Sequence, residues 1–139
     1  MRAAQASPAV ILPDTSCWID WVRNPDLLAQ TSSLFGEFVT CGPVLQEVLQ
    51  GLHGGPYPRV RESLLAIPLI ADPTPLDMFL RAAEIYREGR RRGYTIRSAI
   101  DCLIAAIAIE HGATVWHKDR YFSIIARYTP LRVRSEYLN

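Results

Sequence analysis

The chain has 139 residues, a formal net charge of +1 at pH 7, and 49% hydrophobic against 21% charged residues. That length and balance predict one domain with a single sizeable core and exclude a chain too polar to fold. The most apolar run, residues 98–113, falls short of the roughly 20 residues of a membrane span and carries Asp101, so no membrane segment is expected.

The opening "MRAAQASPAV" has one Arg and no long apolar stretch behind it, so it does not read as a signal peptide. Residues 1–8 are expected to be a loose leader, with a single domain over 9–139. "VILP" (10–13) reads as a short buried strand stopped by Pro13. Helices are predicted from Trp18 to Val22 and from Asp26 to about Phe35. "FVTC" (38–41) reads as a second short strand. Gly42-Pro43 then opens a helix to Gln50, with Pro43 at a favoured first position and Gly51 beyond its end.

Three Gly and two Pro between 51 and 58 predict a loop, followed by a helix from about Arg59 to Ala66. Thr74-Pro75 starts a long amphipathic helix to about Arg92, with Phe79, Ala82, Ala83 and Tyr86 on its expected buried side. Glu84 with Arg87 and Glu88 with Arg92 stand at pairing offsets. A helix from Ser98 ends near Gly112, and "ATVW" (113–116) is the third strand. Tyr121 to Arg127 forms a last short helix, and "LRV" (131–133) an additional edge strand. Short apolar strands alternating with helices predict an α/β fold, a parallel sheet covered on both faces.

Functional groups in such sheets gather at the carboxyl ends of the strands. Asp14 follows "VILP" directly, Glu47 lies on the helix after "FVTC", and Asp119 stands three residues beyond "ATVW". Asp101 occupies the first turn of the helix leading into that last strand. Each has a plainer reading. Asp14 caps a helix, Glu47 is a solvated helix residue, Asp119 is a turn residue, and Asp101 completes an "SxxD" capping pattern with Ser98.

Capping leaves part of the Asp101 pattern unexplained. Asp101 shares a stripe with Ala105 and Ala108, beside the bulky stripe of Ile100, Leu103, Ile104 and Ile107. Small residues admit a close neighbour, so an ionised Asp101 needs a partner, and neither position 104 nor 105 supplies a cation. Several carboxylates together raise one another's pKa unless a cation neutralises them. Oxygen-only donors select a hard divalent ion, Mg²⁺ or Mn²⁺, which suits phosphodiester hydrolysis.

"ILPDTSCWID", "VLQEVLQG" and "TIRSAIDCLIAAIAIEHGATVWHKDRYF" resemble the PIN domain, and more closely the VapC toxins of bacterial toxin–antitoxin pairs. The resemblance runs from Val10 to about Leu131. It implies a three-layer α/β/α sandwich and a Mg²⁺- or Mn²⁺-dependent endoribonuclease whose acidic quartet falls on Asp14, Glu47, Asp101 and Asp119. It also implies a cognate VapB-type antitoxin that blocks the acidic pocket, and a homodimer.

Two positions depart from the family pattern. His117 stands where Thr is common, and Tyr121 where a second Asp often follows. His117 either orients Asp119 or, protonated, contacts phosphate; the preferred reading is a strand-end residue bonded to backbone. Thr15 and Ser16 are candidates to hydrogen-bond a ligand carboxylate, or are turn hydroxyls. Fourteen Arg against one Lys suit RNA contacts as well as they suit an Arg-rich genome. Arg97, in the cluster 87–97, is the candidate RNA contact, against a solvated helix end. Trp18 and Trp21 are read as packing residues before base-stacking ones. Three cysteines without metal-finger or redox spacing point to a reducing compartment and a cytoplasmic protein.

Two rivals remain at this stage. A phosphoacceptor receiver module needs paired acids after the first strand and a Lys after the last, which Asp14 standing alone and the Gly-Pro after "FVTC" do not provide. A PIN fold used only for binding or assembly is the other alternative.

Overall fold

The computed structural model describes residues 10–135. The expected leader at 1–8 therefore lies outside the described residues. Three short parallel strands form the sheet: β1 (Ile11–Pro13), β2 (Thr114–Trp116) and β3 (Arg132–Arg134), in the order β1-β2-β3. Leu12 faces Val115, and Trp116 faces both Pro13 and Arg134. Ile11, Leu12, Val115 and Trp116 are buried, as expected of strands covered on both faces by helices. The expected edge strand is present, one residue further along than "LRV".

"FVTC" does not form the continuous strand expected of it. Phe38 makes a single parallel bridge to Ile11, and Thr40 a separate one to Leu69. The segment meets a different neighbour at each residue it offers, and Gly42-Pro43 then turns it into a helix. These bridges still extend the sheet past β1 and bring the start of that helix to the same sheet end as Asp14.

Between β1 and β2 lie six helices: α1 (Thr15–Arg23), α2 (Pro25–Gln30), α3 (Gly42–Gln50), α4 (Tyr57–Leu65), α5 (Leu76–Arg91) and α6 (Ala99–His111). A 3₁₀ turn over Ser32–Glu37 follows α2, and α7 (Arg120–Ile125) connects β2 to β3. The expected helix from Asp26 to about Phe35 is thus two pieces, and the first helix begins at Thr15 rather than Trp18. The early start has a local cause: the Asp14 side chain accepts the Cys17 N–H and opens α1 immediately after β1.

α6 is the central helix, buried continuously from Asp101 to Ala108. It ends at Gly112, whose φ of 64° is the left-handed conformation a glycine adopts without strain. α5 packs along it through Met78, Ala82, Ile85 and Gly89. The expected stripe of Phe79, Ala82, Ala83 and Tyr86 is rotated from this by about one residue, and Phe79 is exposed. The reason is Gly89, which lets the Tyr128 ring lie against the helix and donate to the Ile85 carbonyl at 2.8 Å. Glu88 pairs with Arg92 at 2.6 Å and also with Arg91, whereas no ion pair joins Glu84 to Arg87 among the described residues. Trp18, Trp21, Phe38 and Trp116 form one aromatic cluster with ring centroids 5.0–6.1 Å apart, so both early tryptophans are packing residues. Among the described residues no helix is long and apolar enough to cross a membrane.

Candidate active site

The ends of β1 and β2 are tied through one carbonyl. Trp116 O accepts the Asp14 N–H at 2.9 Å and the Cys17 thiol at 3.2 Å. Asp14 is 3% exposed, and its Oδ1 accepts from Ser16 Oγ at 2.6 Å and from Cys17 N at 3.3 Å. Asp119 sits past the end of β2 as the N-cap of α7, where its Oδ1 accepts the Tyr121 N–H at 2.8 Å. Asp101 is 8% exposed in the first turn of α6, and its own N–H is capped by Ser98 Oγ at 3.2 Å. Glu47, half-buried on α3, accepts from Thr15 Oγ1 at 2.7 Å.

Three of the four acids therefore stand at helix N-termini. The capping readings hold for Asp14 and for the Ser98–Asp101 turn, and Asp119, read from the sequence as a turn residue, is a helix cap as well; in Asp14 and Asp119 the cap bond also aims the carboxylate. Partial positive charge at those helix ends tempers the repulsion between them without removing it.

Burial and mutual charge dominate the electrostatics. Burial is the main cause that pushes the Asp101 carboxyl up to about 7, reinforced in order by the negative charges of Asp119, Asp14 and Glu47, with the Ser98 hydroxyl opposing. Burial also pushes Asp14 up to about 6, against the hydrogen bonds from Ser16 and Cys17, while Asp119 adds to the rise. The four predicted acids thus act on one another, and the strongest charges felt by Asp101 are all negative.

Such a site holds protons or a cation. Among the described residues no three His, Cys, Asp or Glu side chains stand as a finished metal cage. The donor chemistry fits a hard divalent ion: four carboxylates, two of them with raised proton affinity, and no sulfur or imidazole in the set.

The remaining predicted residues separate into two groups. Thr15 and Ser16 both make the carboxylate contacts expected of them, to Glu47 and Asp14. His117 is fully buried, with its ring against Phe122, Nε2 3.3 Å from Ser123 Oγ, and a pKa lowered chiefly by burial. It backs the loop that carries Asp119, and its N–H donates to Arg134 O. Arg97 lines a groove between α5 and α6 with Phe79, Tyr86, Arg87 and Ile100. Tyr121 stacks under Arg120. The pairing of Lys118 with Asp20 across 98 positions went unforeseen, because a long-range ion pair leaves no local pattern in a sequence.

A separate apolar groove of about 750 Å³ opens on the far side of α1, floored by Trp18, Trp21 and Phe38 and walled by Leu28, Val60 and Ile67. The buried indole N–H groups of Trp18 and Trp21 have no hydrogen-bond partner among the described residues.

Residues 11–128 match the PIN domain family. Over 133 residues the chain is 38% identical to Ribonuclease VapC11 of Mycobacterium tuberculosis and to a VapC ribonuclease of Mycobacterium bovis, covering 91% of this chain and 98% of each relative. In three dimensions it resembles DNA-bound VapBC from Salmonella typhimurium, with a TM-score of 0.69 and 15% identity over 91% of this chain and 98% of that one.

Proposed function

Because the chain belongs to the PIN domain family, with VapC ribonucleases among its relatives, we propose that it is the ribonuclease toxin of a VapBC-type toxin–antitoxin pair in the cytoplasm. It hydrolyses RNA phosphodiester bonds at Asp14, Glu47, Asp101 and Asp119 with Mg²⁺ or Mn²⁺. The observation that carries this reading is the convergence of the negative charges of Asp119, Asp14 and Glu47 on a buried Asp101.

Asp14 and Asp101 are assigned as direct metal ligands, and Glu47 and Asp119 as ligands directly or through water. When bound, the divalent ion supplies charge stabilisation of the phosphate and polarisation of water. Ser16 fixes Asp14, and Thr15 fixes Glu47, each through a hydroxyl donated to one carboxylate oxygen. A carboxylate of the set, or solvent, takes the proton from the attacking water.

The resemblance to VapBC assemblies supports an antitoxin partner, for which the groove of Trp18, Trp21 and Phe38 offers an apolar seat. Leu76, Phe79 and Leu80 stand exposed on α5 and form the face assigned to a second copy.

The test is incubation of total RNA with the purified, antitoxin-free protein, with Mg²⁺ or Mn²⁺ and with chelator. Discrete fragments that vanish with chelator, with Asp14→Asn and with Asp101→Asn are expected. Full cleavage by both variants would overturn the assignment.

A further inference from the structure

Asp119 occupies an awkward position. It lies on the short loop between β2 and α7, at the edge of a pocket whose other carboxylates repel it. Its own cap bond, to Tyr121 N, ties it to the first turn of α7 and not to the helices that carry Asp14 and Asp101. His117 anchors the start of the loop by burial. Between those two residues stands Lys118, the only lysine of the chain, whose Nζ pairs with the Asp20 carboxylate. Asp20 belongs to α1, the helix capped by Asp14. The pair therefore joins the element that carries one candidate ligand to the loop that carries another. Neither side chain is fully solvated, at 37% exposure for Lys118 and 26% for Asp20.

We propose that the Lys118–Asp20 ion pair is a positioning clamp, which holds Asp119 in the acidic pocket against repulsion from Asp14 and Asp101 before a divalent cation arrives. The clamp rests on the reading of Asp119 as a metal ligand. Its contribution is preorganisation: a loop already held in place has less freedom to lose when the ion binds. Lys118 touches neither substrate nor metal in this role.

The sign of the effect separates a clamp from simple electrostatics. Loss of a positive charge beside an acidic pocket, by Coulomb's law alone, makes cation binding tighter. A clamp predicts the reverse. The experiment is calorimetric titration of Mn²⁺ into the wild type, Lys118→Met, Asp20→Asn, the double variant and Lys118→Arg, each checked for its circular dichroism spectrum and Tm. Lys118→Met is expected to bind Mn²⁺ about three-fold more weakly, the scale of one partly exposed ion pair, with Tm little changed. Lys118→Arg keeps wild-type affinity, and the double variant binds no more weakly than Asp20→Asn alone. Mn²⁺ binding by Lys118→Met as tight as wild type or tighter, or fully additive losses in the double variant, overturns the clamp. A wild type that binds no Mn²⁺ overturns the metal site itself, and the clamp with it.

Discussion

The Thr15 hydroxyl donates to Glu47 Oε1 at 2.7 Å, joining the first residue of α1 to the middle of α3 across 32 positions. Thr15 follows Asp14 directly, so one turn of chain presents an acid and orients a second acid from another helix. Half-buried Glu47 has several rotamers open to it, and this bond selects one. Thr15→Val removes the donor at nearly constant volume. It is expected to lower kcat/KM for RNA cleavage about ten-fold while leaving Tm nearly unchanged, and Thr15→Ser to restore most of the loss. Wild-type kinetics in Thr15→Val would show Glu47 to be indifferent to its orientation.

The raised pKa of Asp101, about 7, makes a prediction about stability and pH. An unfolded Asp ionises near 4, so between about 4 and 7 the native state binds more protons at this group than the unfolded state does. The associated stability is present at low pH and is lost as pH rises through 7. Metal-free Asp101→Asn should therefore be more stable than wild type at pH 8, by up to about 4 kcal/mol, and the difference should shrink as pH falls toward 4. Thermal melts of the two proteins in chelator across that range check it.

A bound cation should work against that order. Mn²⁺ at 100 times its dissociation constant stabilises the protein that binds it by about 2.7 kcal/mol. Wild type is expected to gain Tm with added Mn²⁺, and Asp101→Asn to gain little. Equal gains would place the ion somewhere other than beside Asp101.

Packing supplies an independent prediction. A Cβ on Gly89 would meet Tyr128 Oη at 2.6 Å, closer than real contacts allow. Gly89→Ala therefore displaces the ring or breaks its bond to Ile85 O, and is expected to destabilise by about 2 kcal/mol in urea unfolding despite the better helix propensity of Ala. In a Tyr128→Phe background the same substitution should be far milder. Equal effects in both backgrounds would mean that the clash is absorbed elsewhere.

The positions of Asp14, Asp101 and Asp119 were legible in the sequence because each stands at a strand end or a helix start, and such places follow from local rules, whereas Glu47 lies in the middle of α3. Asp14, Asp101 and Asp119 also serve those rules as helix-end residues, so capping alone could not say which of them carries more than a cap. Burial sets Asp14 and Asp101 apart from ordinary exposed caps, and burial is a property of the assembled fold. The α5 face was misread by one residue because Gly89, which carries no hydrophobic signal, is where Tyr128 packs. "FVTC" looked like a strand by composition, yet strand formation depends on neighbours, and Phe38 and Thr40 find different ones. The Lys118–Asp20 pair was invisible for the same reason.

The central claim is that Asp14, Glu47, Asp101 and Asp119 together take a divalent cation, and titration calorimetry tests it most directly. Mn²⁺ is titrated at pH 6.5 into wild type and Asp101→Asn, in buffers that differ in ionisation enthalpy. With Asp101 near 7 and Asp14 near 6, the pocket holds about one proton at that pH, which must leave as the ion binds. The account predicts binding to wild type with release of about one proton, and loss of binding in Asp101→Asn. Undiminished binding by Asp101→Asn, or wild-type binding without proton release, would contradict it.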